Sequence, residues 1–156
     1  MEIKIGFDIH GVLSIGTKKI EPILLKLHEQ GYKVCVVSGA PVIYQYRELS
    51  EKFKYDMSYF DEFYSIADYL TLRGCKTWRD WKDTWWASDP DWYSSKAAIC
   101  RKYNITLLID NENKYFKYFN SNEKYILLDH EFKIRNLYSN IIKTLTTEKP
   151  KILNWR

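Results

Sequence analysis

Apolar positions along the chain fall into two alternating patterns. Short continuous apolar runs mark strands, and stretches whose apolar residues recur every three or four positions mark helices. A strand is predicted at 3–7. Ile20, Ile23, Leu24 and Leu27 then keep helical spacing, with Pro22 in the first turn, where its missing N–H costs little, and Gly31 at the stop. The β-branched run 32–37 is a second strand, ending in Ser38-Gly39, and a helix over 41–53 opens with Pro41. A short strand at 62–66 and a helix at 67–73, stopped by Gly74, follow. From Cys75 to Tyr93 the periodicity breaks down. It returns with a serine-capped helix over 94–103, a buried strand at 106–110, a short helix rich in Tyr and Phe, and a strand at 125–128. In the last helix Ile134, Leu137, Tyr138, Ile141, Ile142 and Leu145 share one apolar face. Alternation of strand and helix at these lengths predicts a three-layer α/β domain on a mostly parallel five-stranded sheet. That domain covers 1–146, and 147–156 is expected to be a loose tail.

The segment 75–93 holds Trp78, Trp81, Trp85, Trp86 and Trp92. Trp78, Trp81 and Trp85 fall at i, i+3 and i+7, which suits a short amphipathic helix that buries them. The competing reading is a small lid whose exposed rings stack on a nucleobase while Arg79 and Lys82 meet phosphate. Composition narrows the field only a little. The 156 residues are 46% hydrophobic and 28% charged, as in an ordinary globular chain, and 17% aromatic, which is high. Net charge is 24 − 20 = +4 without a basic run, so anionic partners are allowed but not demanded. Cys35, Cys75 and Cys100 are widely spaced and odd in number, as expected of reduced thiols, and Cys35 and Cys100 sit in apolar contexts. With no signal-peptide pattern and no run long enough for a membrane span, the expectation is a soluble, cytoplasmic protein without membrane partners.

Candidate chemistry lies at the ends of strands. The opening run Ile3-Lys4-Ile5-Gly6-Phe7 ends in Asp8, followed by Ile9, His10 and Gly11. This projects a carboxylate from the carboxyl end of a strand, where open α/β sheets bind ligands. The second strand ends in Ser38-Gly39 and a later strand in Asp110, and Lys96 lies near the start of a helix. Each piece alone has a bland explanation: a strand-end or helix cap for Asp8 and Asp110, a turn for Ser38-Gly39, a solvated lysine for Lys96. His28, His130 and Asp129 lie outside the set and read as surface, packing or capping residues.

In order and spacing, Asp8-Ile9-His10-Gly11-Val12-Leu13, Ser38, Lys96 and Asp110-Asn111-Glu112 resemble the four motifs of the haloacid-dehalogenase-like (HAD) phosphohydrolases. The resemblance spans roughly residues 3–116. It implies a Rossmann-like core without a large cap domain, because the intervals between motifs leave room only for an aromatic mini-lid at about 75–93. It also implies a Mg²⁺-dependent phosphatase acting through an aspartyl-phosphate. Asp8 would be the nucleophile, and Ser38, Gly39 and Lys96 would hold phosphate. Asp8, the backbone carbonyl of His10, Asp110 and, through water, Asn111 would hold the metal. Two positions depart from the family pattern. His10 stands where a second aspartate usually serves as acid and base, work that an imidazole can also do. Asn111 replaces a common aspartate, which weakens metal affinity unless Glu112 compensates. The expected substrate is a phosphorylated small molecule or a nucleic-acid end, with nucleotides the leading class. The alternative is a catalytically impaired scaffold that binds a partner through its aromatic face.

Overall fold

The computed structural model describes residues 2–120, 122–146 and 152–153. The chain runs β1 (Lys4–Phe7), α1 (Thr17–Glu29), β2 (Lys33–Ser38), α2 (Val42–Arg47), β3 (Glu62–Ser65) and α3 (Ile66–Leu72). It continues through β4 (Trp78–Arg79), β5 (Trp85–Trp86), α4 (Asp89–Tyr103), β6 (Ile105–Asp110), β7 (Lys124–Leu127), α5 (Leu137–Leu145) and β8 (Ile152–Leu153). One sheet has the order β3-β2-β1-β6-β7-β8 with every pairing parallel. β4 and β5 form a separate antiparallel hairpin. The five expected strands therefore form the sheet, and the two residues of β8 add a sixth beside β7. The remaining tail residues lie outside the described set.

Chain order reverses between β1 and β6. Residues up to β3 build one side of the sheet outward from β1, and residues from β6 onward build the other. In such sheets the crevice at the carboxyl ends, where order reverses, is the natural ligand site. Phe7 aligns with Val36 on one side and Ile109 on the other, so Asp8 and Asp110 leave the sheet side by side.

Strand residues alternate between two cores. Ile5, Phe7, Val34, Val36, Leu107 and Ile109 pack with α1 and α5 on one face. Cys35, Val37 and Leu108 pack with α3 and α4 on the other. Two buried sides explain the near-continuous apolar runs. Burial also pushes the Cys35 and Cys100 thiols up, consistent with inert packing residues. Among the described residues no helix is long and apolar enough to cross a membrane.

Four local expectations need correction. α1 begins at Thr17, so Pro22 lies in the second turn, on the exposed side where the freed carbonyl meets water. The helix expected over 41–53 is α2 followed by a wider π turn, Glu48–Lys52. α4 starts at Asp89, with Ser88 at the cap position and Pro90 in the first turn, so Trp92 and Tyr93 are helical. Its end matches expectation, with Asn104 in the left-handed conformation (φ 59°).

The fourth is the tryptophan segment, which is the β4–β5 hairpin and not a helix that buries Trp78, Trp81 and Trp85. Trp78 pairs with Trp86 and Arg79 with Trp85. Trp81, at the turn, is 87% exposed. The turn outcompetes the helix because Asp80 satisfies three donors at once. Its carboxylate accepts from the Lys82 N–H (2.8 Å), the Thr84 N–H (3.0 Å) and the Trp86 indole N–H (2.8 Å).

Candidate active site

Three of the sequence-selected side chains meet in one buried ion cluster. Lys96 is 1% exposed, and its ammonium lies 3.0 Å from Asp8 Oδ1 and in contact with Asp110 Oδ2. The elements dictate this meeting. Asp8 and Asp110 leave neighbouring strands at the order reversal, and Lys96, two turns into α4, reaches across from the layer that covers β6. The Tyr115 ring gives Lys96 a further wall, 4.4 Å from ammonium to ring centre. Burial disfavours the Lys96 charge, but Asp110 and Asp8 outweigh it and hold the ammonium protonated far above its ordinary range. Burial, then the charge of Asp8, pushes the Asp110 carboxyl up to about 7 against the pull of Lys96.

The loop after β1 closes on itself. Leu13 N–H donates to the Asp8 carbonyl (3.2 Å), and Gly11 N–H donates to Ser14 Oγ (2.8 Å). Gly11 has φ +87°, and a Cβ there would lie 2.1 Å from Asn111 Nδ2. Glycine is thus required twice, and the Asn111 amide rests on the loop that carries His10. The Glu112 carboxylate caps the next 3-10 turn, accepting from Lys114 N–H (3.2 Å).

Ser38 is buried at the end of β2, and Gly39 lies under the Trp92 indole, where a Cβ would approach within 2.8 Å of the ring. Gln45, on α2, holds this loop. Its amide nitrogen donates to the carbonyls of Ala40 (2.8 Å), Tyr64 (3.0 Å) and Ser38 (3.3 Å), while its buried oxygen has no partner. His10 is set apart from the ion cluster. Its side chain is 67% exposed, and Nε2 lies 2.9 Å from Glu48 Oε1, on the first residue of the π turn.

A cleft of about 520 Å³ opens beside these groups. His10, Ser38 and Gly39 line its inner end, and α2 and the hairpin form its walls. Sequence reading missed Gln45, Glu48 and Tyr115 and placed Trp92 only among the aromatic loop residues. Gln45 and Glu48 look like ordinary polar helix positions. The run Ser88-Asp89-Pro90 was the available signal that Trp92 belongs to the helix carrying Lys96.

The described residues contain no group of three or more His, Cys, Asp or Glu side chains able to hold a metal ion. The donor set still suits a hard dication. Two carboxylates face one ammonium, so with both ionised the cluster carries a net charge of −1 and offers hard oxygen donors.

No family model and no curated protein matches the chain. Among solved structures, the chain resembles the core domain of a candidate phosphoglycolate phosphatase from Streptococcus pneumoniae. The match covers 92% of this chain and 97% of that one, with a TM-score of 0.50 and 14% identity. The fold shared with that core domain is a parallel α/β sheet flanked by helices on both faces. At this identity the likeness speaks for architecture alone.

Proposed function

We propose that the protein is a Mg²⁺-dependent phosphatase that cleaves a phosphate monoester through an aspartyl-phosphate. The observation that carries this reading is the buried Asp8–Lys96–Asp110 cluster at the order reversal, beside a cleft that Ser38 and Gly39 line. An Asp8 oxygen attacks phosphorus, the P–O bond to the leaving group breaks, and the electron pair leaves on that oxygen. His10 donates the proton to the departing oxygen, then accepts one from the water that hydrolyses the acyl phosphate. Lys96 fixes the Asp8 carboxylate and opposes the negative charge that grows on the phosphoryl oxygens. Ser38 and the backbone of the Gln45-held loop bind those oxygens. Asp8, Asp110, the His10 carbonyl and, through water, Asn111 would hold Mg²⁺, which when bound offsets repulsion between nucleophile and phosphate. The substrate class is a phosphorylated nucleoside, free or at a nucleic-acid end.

The test is phosphate release from phosphoglycolate, p-nitrophenyl phosphate, nucleotides and phosphorylated oligonucleotides, with and without Mg²⁺. Release should require Mg²⁺ and fall at least a thousandfold in Asp8→Asn. Release that persists in Asp8→Asn overturns the mechanism. Silence across the panel from folded protein favours the second reading, a binding scaffold, which the exposed His10 and Trp81 support.

A further inference from the structure

The cleft and hairpin carry an inference that rests on the phosphatase reading and narrows it. We infer that the substrate is a single-stranded nucleic acid with a phosphorylated end, its terminal nucleotide in the cleft and the adjoining strand passing over the hairpin turn at Trp81.

Two aromatic stations support this. The first is inside the cleft, where Tyr44 on α2 and Trp85 on β5 stand 6.4 Å apart between ring centres. The Arg79 guanidinium lies 5.5 Å from the first ring and 5.1 Å from the second. At about 520 Å³, the cleft falls in the usual range for a small-ligand site, so it suits one nucleotide and not a strand. The second station is Trp81, 87% exposed, with the Lys82 ammonium 4.8 Å from its ring centre. A free nucleotide has one base and would leave Trp81 unused. A strand has a second base to stack there.

Charge agrees. Within the cleft lining, Glu48 is engaged by His10 (2.9 Å) and Asp83 by Arg79 (3.5 Å). Across the lining Arg47, Lys52, Arg79 and Lys82 stand against Glu48, Glu51 and Asp83, a net of 4 − 3 = +1 that favours a backbone of phosphodiesters. The hairpin is also a fixed wall. Asp80 ties its turn together, and Trp86 packs on Trp92 (5.5 Å between ring centres), so Trp81 is held out from a docked element. Aromatic platforms with adjacent cations bind single strands with little sequence preference.

The test compares kcat/KM for p-nitrophenyl phosphate, nucleoside monophosphates, and 5′- or 3′-phosphorylated single-stranded oligonucleotides. The expected order places one oligonucleotide polarity at least tenfold above the mononucleotides. Trp81→Ala should lower the oligonucleotide value about tenfold, the loss of one base stack, and leave mononucleotide and p-nitrophenyl phosphate values unchanged. Trp85→Ala should lower kcat/KM for both nucleotide classes. Asp8→Asn protein, read by fluorescence anisotropy of a labelled phosphorylated oligonucleotide, should bind it, more weakly with added Trp81→Ala and at higher salt. Asp8-dependent hydrolysis of small esters without preference for oligonucleotides overturns the inference and keeps the phosphatase. Oligonucleotide binding through Trp81 without hydrolysis of any ester keeps the strand site and overturns the enzyme. Neither binding nor preference overturns the inference.

Discussion

At the scale of single residues, Lys96 is the side chain on which the most depends. Two carboxylates, one of them fully buried, face each other across its ammonium. Taking away that charge leaves two uncompensated anions in a low-dielectric site. Lys96→Met should therefore destabilise the fold by about 3–5 kcal/mol in urea unfolding, despite a good steric match. Adding Asp110→Asn should recover part of the loss, because it removes one orphaned charge. Equal stability of Lys96→Met and the natural chain would mean that solvent, not Lys96, compensates the pair. Asp8, Ser38 and Asp110 were legible because each sits at a strand end whose position follows from hydrophobic periodicity, whereas Lys96 was found on a helix whose start was placed five residues too late. Gln45, Glu48 and Tyr115 were not legible. Their contributions are a hydrogen bond, an ion pair and a ring face directed at distant parts of the chain, and no local spacing encodes these.

The elements show the same division. The five sheet strands came out at their expected places, because burial on the sheet faces imposes apolar runs that the sequence displays directly. Helix starts shifted: α4 begins five residues early and Ile134 precedes α5 in a 3-10 turn. The hairpin did not come out as expected, because tryptophans at i, i+3 and i+7 satisfy a helical spacing that the Asp80 turn overrides. That override has a pH signature. The indole N–H of Trp86, then the backbone N–H of Thr84, hold the Asp80 carboxyl below its ordinary range. A lowered folded pKa means that the stabilisation is complete above the usual carboxylate range and is lost as pH falls through the lowered value. In an NMR titration the Trp86 indole N–H signal should hold steady down to about pH 4 and move at more acid values. Asp80→Asn should shift it at every pH. A signal indifferent to both acid and the substitution would separate the turn from this hydrogen bond. The same turn presents Trp81, so the Asp80→Asn variant should also weaken binding of a phosphorylated strand.

On the scale of the whole molecule, the sheet is two contiguous stretches of chain laid edge to edge. Residues before the hairpin turn supply β3-β2-β1, residues after it supply β6-β7-β8, and the β1–β6 pairing joins them. Asp8 comes from one stretch, Lys96 and Asp110 from the other. The hairpin turn that separates the stretches lies at the surface. A chain opened between Trp81 and Lys82 would thus yield two complementary fragments that share the β1–β6 join and both hydrophobic cores. Mixed, the fragments should reassociate, with far-UV circular dichroism exceeding the sum of the parts and the proposed ester hydrolysis restored. Dichroism that merely adds would mean that the halves do not recognise each other. Since Asp8 lies in one fragment and Lys96 with Asp110 in the other, no truncated translation product can assemble the ion cluster, and an intact cluster reports that both halves of the message have been read.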